Sequence, residues 1–123
     1  MLGYVTLGTS DLQRAARFYD GVLAEVGAKR FMEMPRAIAW SAGPQGGGLS
    51  VGLPFDGKPA TVGNGVMVAL AADSKEKVNA IYRKAIECGG TDEGPPGPRG
   101  DHGFYAAYFR DLDGNKLSAF FAG

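Results

Sequence analysis

The chain opens with a short apolar run that is followed by a longer stripe of apolar positions. Residues 3–8 are rich in β-branched and aromatic side chains, which favours a strand. Apolar residues then recur at spacings of three and four, which predicts a helix of about four turns that ends near Gly27. Ser10 lies three residues before Gln13, the spacing of a capping box at the start of this helix. The buried stripe comprises Leu12, Ala15, Ala16, Tyr19, Leu23 and Val26.

Three strand-like runs follow the first helix and precede a connector. Proline and glycine separate the runs, and residues 54–64 carry turn residues with little periodicity. The strand and helix pattern then begins again, with Asp73 three residues before Glu76 as a second capping box and a helix that ends at Gly89-Gly90. The predicted strands span residues 29–34, 36–41, 49–53 and 66–70, and the second stripe comprises Val78, Ile81, Tyr82, Ala85 and Ile86.

The two halves of the chain form an internal repeat. An offset of 63 pairs Tyr4 with Met67 and Tyr19 with Tyr82, and after a drift of about five residues Leu49-Ser50 pairs with Leu117-Ser118. Neither half could bury its helix stripe and its sheet face alone, so we expect one domain over residues 1–123. It contains module 1 (about 1–56), a connector (about 57–63) and module 2 (about 64–123), each with the order βαβββ.

Composition and charge exclude several kinds of partner. Thirteen basic and thirteen acidic side chains give a formal net charge of +0, so we expect neither nucleic acid nor a membrane surface to bind. No segment approaches the roughly 18 consecutive apolar residues of a membrane span. The first residues lack the pattern of a signal peptide, and Cys88 is the single cysteine. These features predict a cytoplasmic protein.

Four motifs follow one another along the chain: residues 4–12 with Phe18-Tyr19, Gly63-Asn64-Gly65, residues 89–94 and residues 105–115. Taken together and in order, they resemble those of the glyoxalase, bleomycin-resistance and extradiol-dioxygenase superfamily, also called the vicinal oxygen chelate family. The resemblance implies an α+β fold in which tandem βαβββ modules form a cupped eight-stranded mixed sheet with helices outside and the ligand inside. It also implies a homodimer, with modules that pair within one chain or across two.

The resemblance also implies positions for metal ligands, on the first and last strands of each module. The matching residues here are Tyr4, Ser50, Met67 and Ser118, and none is a usual ligand. Zinc, iron or manganese needs about three imidazole, carboxylate or thiolate donors. With His102 as the single histidine, one copy cannot supply two histidines and a carboxylate. We therefore expect no bound metal and no cofactor.

The same positions suggest a pocket for a small organic molecule. Aromatic, thioether and hydroxyl groups supply apolar area and orientation, although such residues can equally be plain sheet core. The period of two along a strand allows at most one of Tyr105 and Tyr108 to share a face with Ser118. The predicted ligand-binding residues are Tyr4, Trp40, Ser50, Met67, Tyr105 and Ser118.

The sequence leaves the catalytic residues unknown. His102, on a glycine-rich loop, is a weak candidate for an acid or base, because the other interpretation is an exposed loop histidine. A metal-free protein that binds a small molecule is therefore the favoured interpretation. The alternatives are a divergent metal-dependent or metal-free lyase, isomerase or dioxygenase of the same superfamily, and an interaction module that uses its sheet edges.

Overall fold

The computed structural model describes residues 1–123 and contains eight strands and two helices. Module 1 has the order βαβββ and module 2 repeats it, which confirms the predicted α+β architecture. Both helices have 13 residues, and the offset of 63 superposes their bounds. The elements are β1 (Tyr4–Gly8), α1 (Leu12–Ala24), β2 (Lys29–Met34), β3 (Ala37–Ser41), β4 (Gly48–Gly52), β5 (Val68–Ala71), α2 (Lys75–Glu87), β6 (Thr91–Pro98), β7 (Phe104–Arg110) and β8 (Lys116–Ala122).

The eight strands form two hydrogen-bonded sheets of four, one in each module. The strand orders are β1-β4-β3-β2 and β5-β8-β7-β6, and in each sheet the outer first strand runs parallel to the last strand of its module. Thr6 lies opposite Ser50, and Ala69, its equivalent in the repeat, lies opposite Ser118. The register is therefore the same in both modules, and β1 and β5 are the sheet edges that the modules turn toward each other.

Each helix begins one residue later than the capping boxes predict. Asp11, not Ser10, caps α1 and accepts a hydrogen bond from the Arg14 backbone N–H, and Ser74, not Asp73, caps α2. The Ser10 hydroxyl instead accepts a hydrogen bond from the backbone N–H of Ala60 in the connector. A tertiary contact thus takes the side chain that local spacing assigned to the helix.

One hydrophobic cluster of 19 buried residues joins the two modules. In module 1 it lies between α1 and one face of the first sheet, and in module 2 it lies between α2 and the second sheet. The helices also contact each other. Neither helix is long and apolar enough to cross a membrane. Burial on the helix side leaves the opposite face of each sheet, which we call the cup face, without a covering helix.

A buried polar cluster connects α1 to the turn between β7 and β8. The Tyr19 hydroxyl donates a hydrogen bond of 2.5 Å to Asp111 Oδ2, and Asn115 Nδ2 donates to the Gly8 carbonyl of β1 at 2.9 Å. The pKa of Tyr19 is raised well above its ordinary value, mainly because the side chain is buried and also because the Asp111 carboxylate lies beside it. The tyrosine is therefore a neutral hydrogen-bond donor that fixes the position of one module relative to the other.

Candidate ligand pocket

A largely apolar cavity of about 490 Å³ lies between the edge strands of the two sheets. Its walls come from β1, from the end of β3 and the start of β4, from the last turn of α1, and from β5. No backbone pairing joins β1 to β5, so the space between these edges is open to a ligand. The cavity is lined by Leu2, Tyr4, Val5, Leu23, Val26, Ala28, Trp40, Ser41, Ala42, Gly46, Gly47, Gly48, Leu49, Met67, Val68, Ala69, Leu70 and Ala71.

Trp40 forms a fixed part of the cavity wall. Its side chain lies on the helix side of β3, and its indole Nε1 donates a hydrogen bond of 2.9 Å to Asp20 of α1. Asp20 also accepts hydrogen bonds from Arg30 Nε at 2.9 Å and Arg30 Nη2 at 2.7 Å. The bond from Arg30 is the main reason that the pKa of Asp20 is lowered. Because its polar edge is already bonded, the indole offers the cavity only apolar surface.

Three of the six predicted ligand-binding residues lie at this cavity. Tyr4, Trp40 and Met67 come from β1, from β3 and from the residue before β5, and they meet across the gap between the modules. Tyr4 and Met67 are 67% and 44% exposed, so their side chains are accessible to a ligand or to another protein surface.

Ser50 and Ser118 do not reach the cavity. Ser50 lies in the middle of its sheet between Thr6 and Ala39, and Ser118 lies between Ala69 and Tyr108. Both are buried. The structure therefore separates the two serines from Tyr4, Trp40 and Met67, with which they were grouped from the sequence.

Tyr105 lies on the opposite face of its sheet from Ser118. Its hydroxyl donates a hydrogen bond of 2.8 Å to Asn79 of α2, and the Lys75 ammonium lies 5.7 Å from its ring centre. Tyr108 is the direct neighbour of Ser118 on β8. The prediction that Tyr105 shares a pocket with Ser118 is therefore wrong, because the register of β7 turns Tyr108 to the cup face.

The donor set does not fit a divalent metal. No group of three histidine, cysteine, aspartate or glutamate side chains converges anywhere in the chain. At the positions that the resemblance assigns to ligands, the side chains are a phenol, a thioether and two hydroxyls, and these are poor ligands for zinc or manganese. His102 is exposed in the loop between β6 and β7, and its side chain makes no hydrogen bond. The geometry supports no catalytic step through a metal.

Part of the cavity wall was assigned to the core by sequence reasoning. Leu23 and Val26 belong to the stripe predicted for the first helix, and in the structure Leu23 lies in the core cluster and Val26 packs against it. Periodicity gives the direction of a side chain but not the distance between two sheet edges. The gap itself therefore had no signal in the sequence.

A two-module βαβββ protein with an apolar cavity between its modules is what the fold and this geometry define. The chain belongs to the Glyoxalase/Bleomycin resistance protein/Dioxygenase superfamily, whose family model matches residues 1–118. No protein of curated function matches the sequence.

Solved structures support this assignment over the whole chain. A glyoxalase/bleomycin resistance protein from Albidiferax ferrireducens is 35% identical, with a TM-score of 0.92 over 100% of this chain and 99% of that one. A family enzyme from Burkholderia phytofirmans (17% identity, TM-score 0.77, 98% of both chains) has the same fold. A lactoylglutathione lyase from Agrobacterium tumefaciens (22% identity, TM-score 0.73, 98% of this chain and 92% of that one) shares it as well.

Proposed function

We propose that the protein binds a small organic molecule in the cavity between its modules and does so without a metal. The observation that carries this proposal is the cavity itself, because its volume of about 490 Å³ lies within the range of roughly 300–1,000 Å³ that is usual for small-molecule sites. Its walls are mainly apolar, and Trp40, Tyr4 and Met67 supply two aromatic rings and an adaptable thioether. Such walls favour an aromatic or amphipathic ligand.

Recognition would depend on shape and apolar burial rather than on coordination. The few polar groups at the cavity include Ser41 and the backbone of residues 46–48, and these could orient a ligand by hydrogen bonds. The donor set described above offers a metal no comparable site. This is the basis for favouring binding over a metal-dependent lyase or dioxygenase reaction.

A neutral fluorescent probe tests this proposal. N-phenyl-1-naphthylamine should bind with saturation and quench the fluorescence of Trp40, the single tryptophan. Ala42→Phe adds a ring at an exposed residue of the cavity wall, so we expect it to weaken probe binding about tenfold or more by occupying the space.

The matched control is Ala122→Phe, which adds the same ring at the exposed end of β8 outside the cavity. It should leave probe affinity unchanged. Binding that does not saturate, or equal weakening in the two variants, would contradict the proposed site.

We also propose that two copies pair through their cup faces as a C2 homodimer. Tyr4, Phe31 and Met34 lie on the cup face of module 1 and are 67%, 61% and 53% exposed. Several exposed apolar side chains on one sheet face are typical of an interface, and a two-fold axis brings the same face of each copy together. Pairing would also limit access to the cavity that Tyr4 lines.

Sedimentation velocity tests the dimer. The unmodified protein should sediment as a dimer, and Phe31→Glu should shift it to the monomer because the carboxylate would be buried without a partner. Phe55→Glu makes the same change at an exposed residue between β4 and β5 and should remain dimeric. A monomeric unmodified protein would refute the proposal.

A further inference from the structure

The cup face of module 2 carries two cations that no carboxylate neutralises. The guanidinium carbon of Arg99 lies 5.4 Å from the ring centre of Tyr108, and the ammonium nitrogen of Lys116 lies 5.6 Å from the same point. Neither takes part in an ion pair within the chain. Arg110, on the same face, is bonded to Glu93 at 3.1 Å. Positive charge is therefore in excess around Tyr108.

The Arg99 guanidinium is held in place by the backbone of β6. Its Nη2 donates a hydrogen bond of 2.7 Å to the Pro95 carbonyl, and its Nη1 donates one of 3.2 Å to the Pro98 carbonyl. A Cβ at Gly94 would lie 3.4 Å from the guanidinium, and one at Gly97 would lie 3.1 Å from it. These two glycines make the space in which the side chain folds back over the strand. The guanidinium has five N–H donors, and the two carbonyls leave some of them free for a ligand.

This cluster adjoins the proposed pocket. Ala69 lines the cavity and pairs with Ser118, which in turn pairs with Tyr108. Tyr108 is thus two strands, or about 10 Å, from the cavity wall. Lys116 is nearer, because its neighbour Leu117 pairs with Val68 of β5. A ligand whose apolar part lies in the cavity would reach these cations with an anionic group carried on a flexible chain across Ala69 and Ser118.

We propose that Arg99, Lys116 and Tyr108 recognise an oxyanion, a carboxylate or a phosphate, on the organic molecule that the cavity binds. The proposal rests on the proposed function for the apolar part of the ligand. A guanidinium fork and an ammonium are the side chains best suited to such a group, and a fixed guanidinium loses little entropy when it binds. The cations lie on the cup face, beside the positions that the resemblance assigns to metal ligands, and supply the positive charge there. The ligand is thereby an organic anion.

Calorimetry with a matched pair of probes tests this assignment. 6-(2-Naphthyl)hexanoate should bind about tenfold more tightly than 6-(2-naphthyl)hexan-1-ol, which has the same rings and chain and no charge, since hydrogen bonds to charged groups exceed neutral ones in strength. The double variant R99Q/K116Q should lose this preference and keep the affinity for the alcohol. The single variant K116Q changes a partly exposed side chain and should lose part of the preference for the acid.

The control R17Q/R83Q removes two charges from exposed helix positions that form no ion pair, and it should keep the full preference. Equal affinity for the two probes overturns the anion assignment and leaves the pocket in place. Binding of the acid alone, abolished in R99Q/K116Q, supports the anion assignment and counts against the apolar pocket. Binding of neither probe overturns both, and a preference that persists in R99Q/K116Q overturns the role of these residues.

Discussion

Replacing Asp111 with alanine is expected to lower the free energy of unfolding by about 4 kcal/mol, because buried donors lose their acceptor. The carboxylate is 5% exposed. It accepts four hydrogen bonds, from the Tyr19 hydroxyl, the Asp113 and Asn115 backbone N–H groups, and the Asn115 side chain. Alanine removes the acceptor of all four bonds where water has little access, and of these donors only Asn115 Nδ2 keeps another partner, the Gly8 carbonyl. Urea denaturation followed by circular dichroism measures the change.

Tyr19→Phe removes the hydrogen bond from α1 to Asp111 and leaves the hydrogen bonds within the turn between β7 and β8 in place. It removes one of the four donors, so we expect a loss of about 1.5 kcal/mol. The pKa of Tyr19 is raised above its ordinary value of 10.0 in the folded protein, so the unfolded chain releases this proton first as the pH rises. Stability from this group is complete below pH 10 and is lost above it.

The Tyr19→Phe variant should therefore lose less stability than the unmodified protein between neutral pH and pH 11. Asp101→Ala, in an exposed loop, is the control for Asp111→Ala and should change stability little. Equal effects of these two alanine substitutions would show that the buried cluster does not hold the modules together.

Gly90→Ala is expected to cost about 3 kcal/mol, since overpacking against backbone cannot be relieved by a rotamer change. A Cβ at this position would lie 2.8 Å from both the Ala85 and the Arg110 carbonyl oxygens, and 3.2 Å from the Phe18 ring. Gly90 is thus the point at which the end of α2, the end of β7 and the helix of module 1 meet. The same denaturation experiment measures the effect.

Gly27 provides the control, because the repeat makes it the equivalent of Gly90. A Cβ there meets nothing within 4 Å, but its φ of 76° is one that favours glycine. Gly27→Ala should therefore cost only about 1 kcal/mol, through backbone strain. If the two substitutions cost the same, the crowding around Gly90 is not a feature of the protein in solution.

The repeat was the sequence feature that determined most of the fold. A single offset placed both helices, and the predicted bounds of β2 agree with the structure at residues 29–34. The comparison of the two halves also paired Ser50 with Ser118, and the structure gives these two residues equivalent positions in their sheets. The errors were local. Ser10 and Asp73 have good capping spacing, but the neighbouring residues Asp11 and Ser74 cap the helices.

The candidate site was predictable only in part, because it depends on distances between elements that are remote in sequence. Tyr4 and Met67 were site residues that the resemblance implied, and the repeat pairs them, whereas the side of the sheet on which Tyr105 lies depends on the register of β7. The sequence assigned no role to Arg99, and its contact with Tyr108 depends on how β6 folds back. No spacing rule joins these two residues.

A crystal structure of the protein with N-phenyl-1-naphthylamine tests the central claim most directly. The account predicts ordered probe density between Trp40 and Met67, with the rings against the indole and no metal among the groups that hold it. Density for the probe elsewhere, with the space between β1 and β5 closed by side chains, would contradict it.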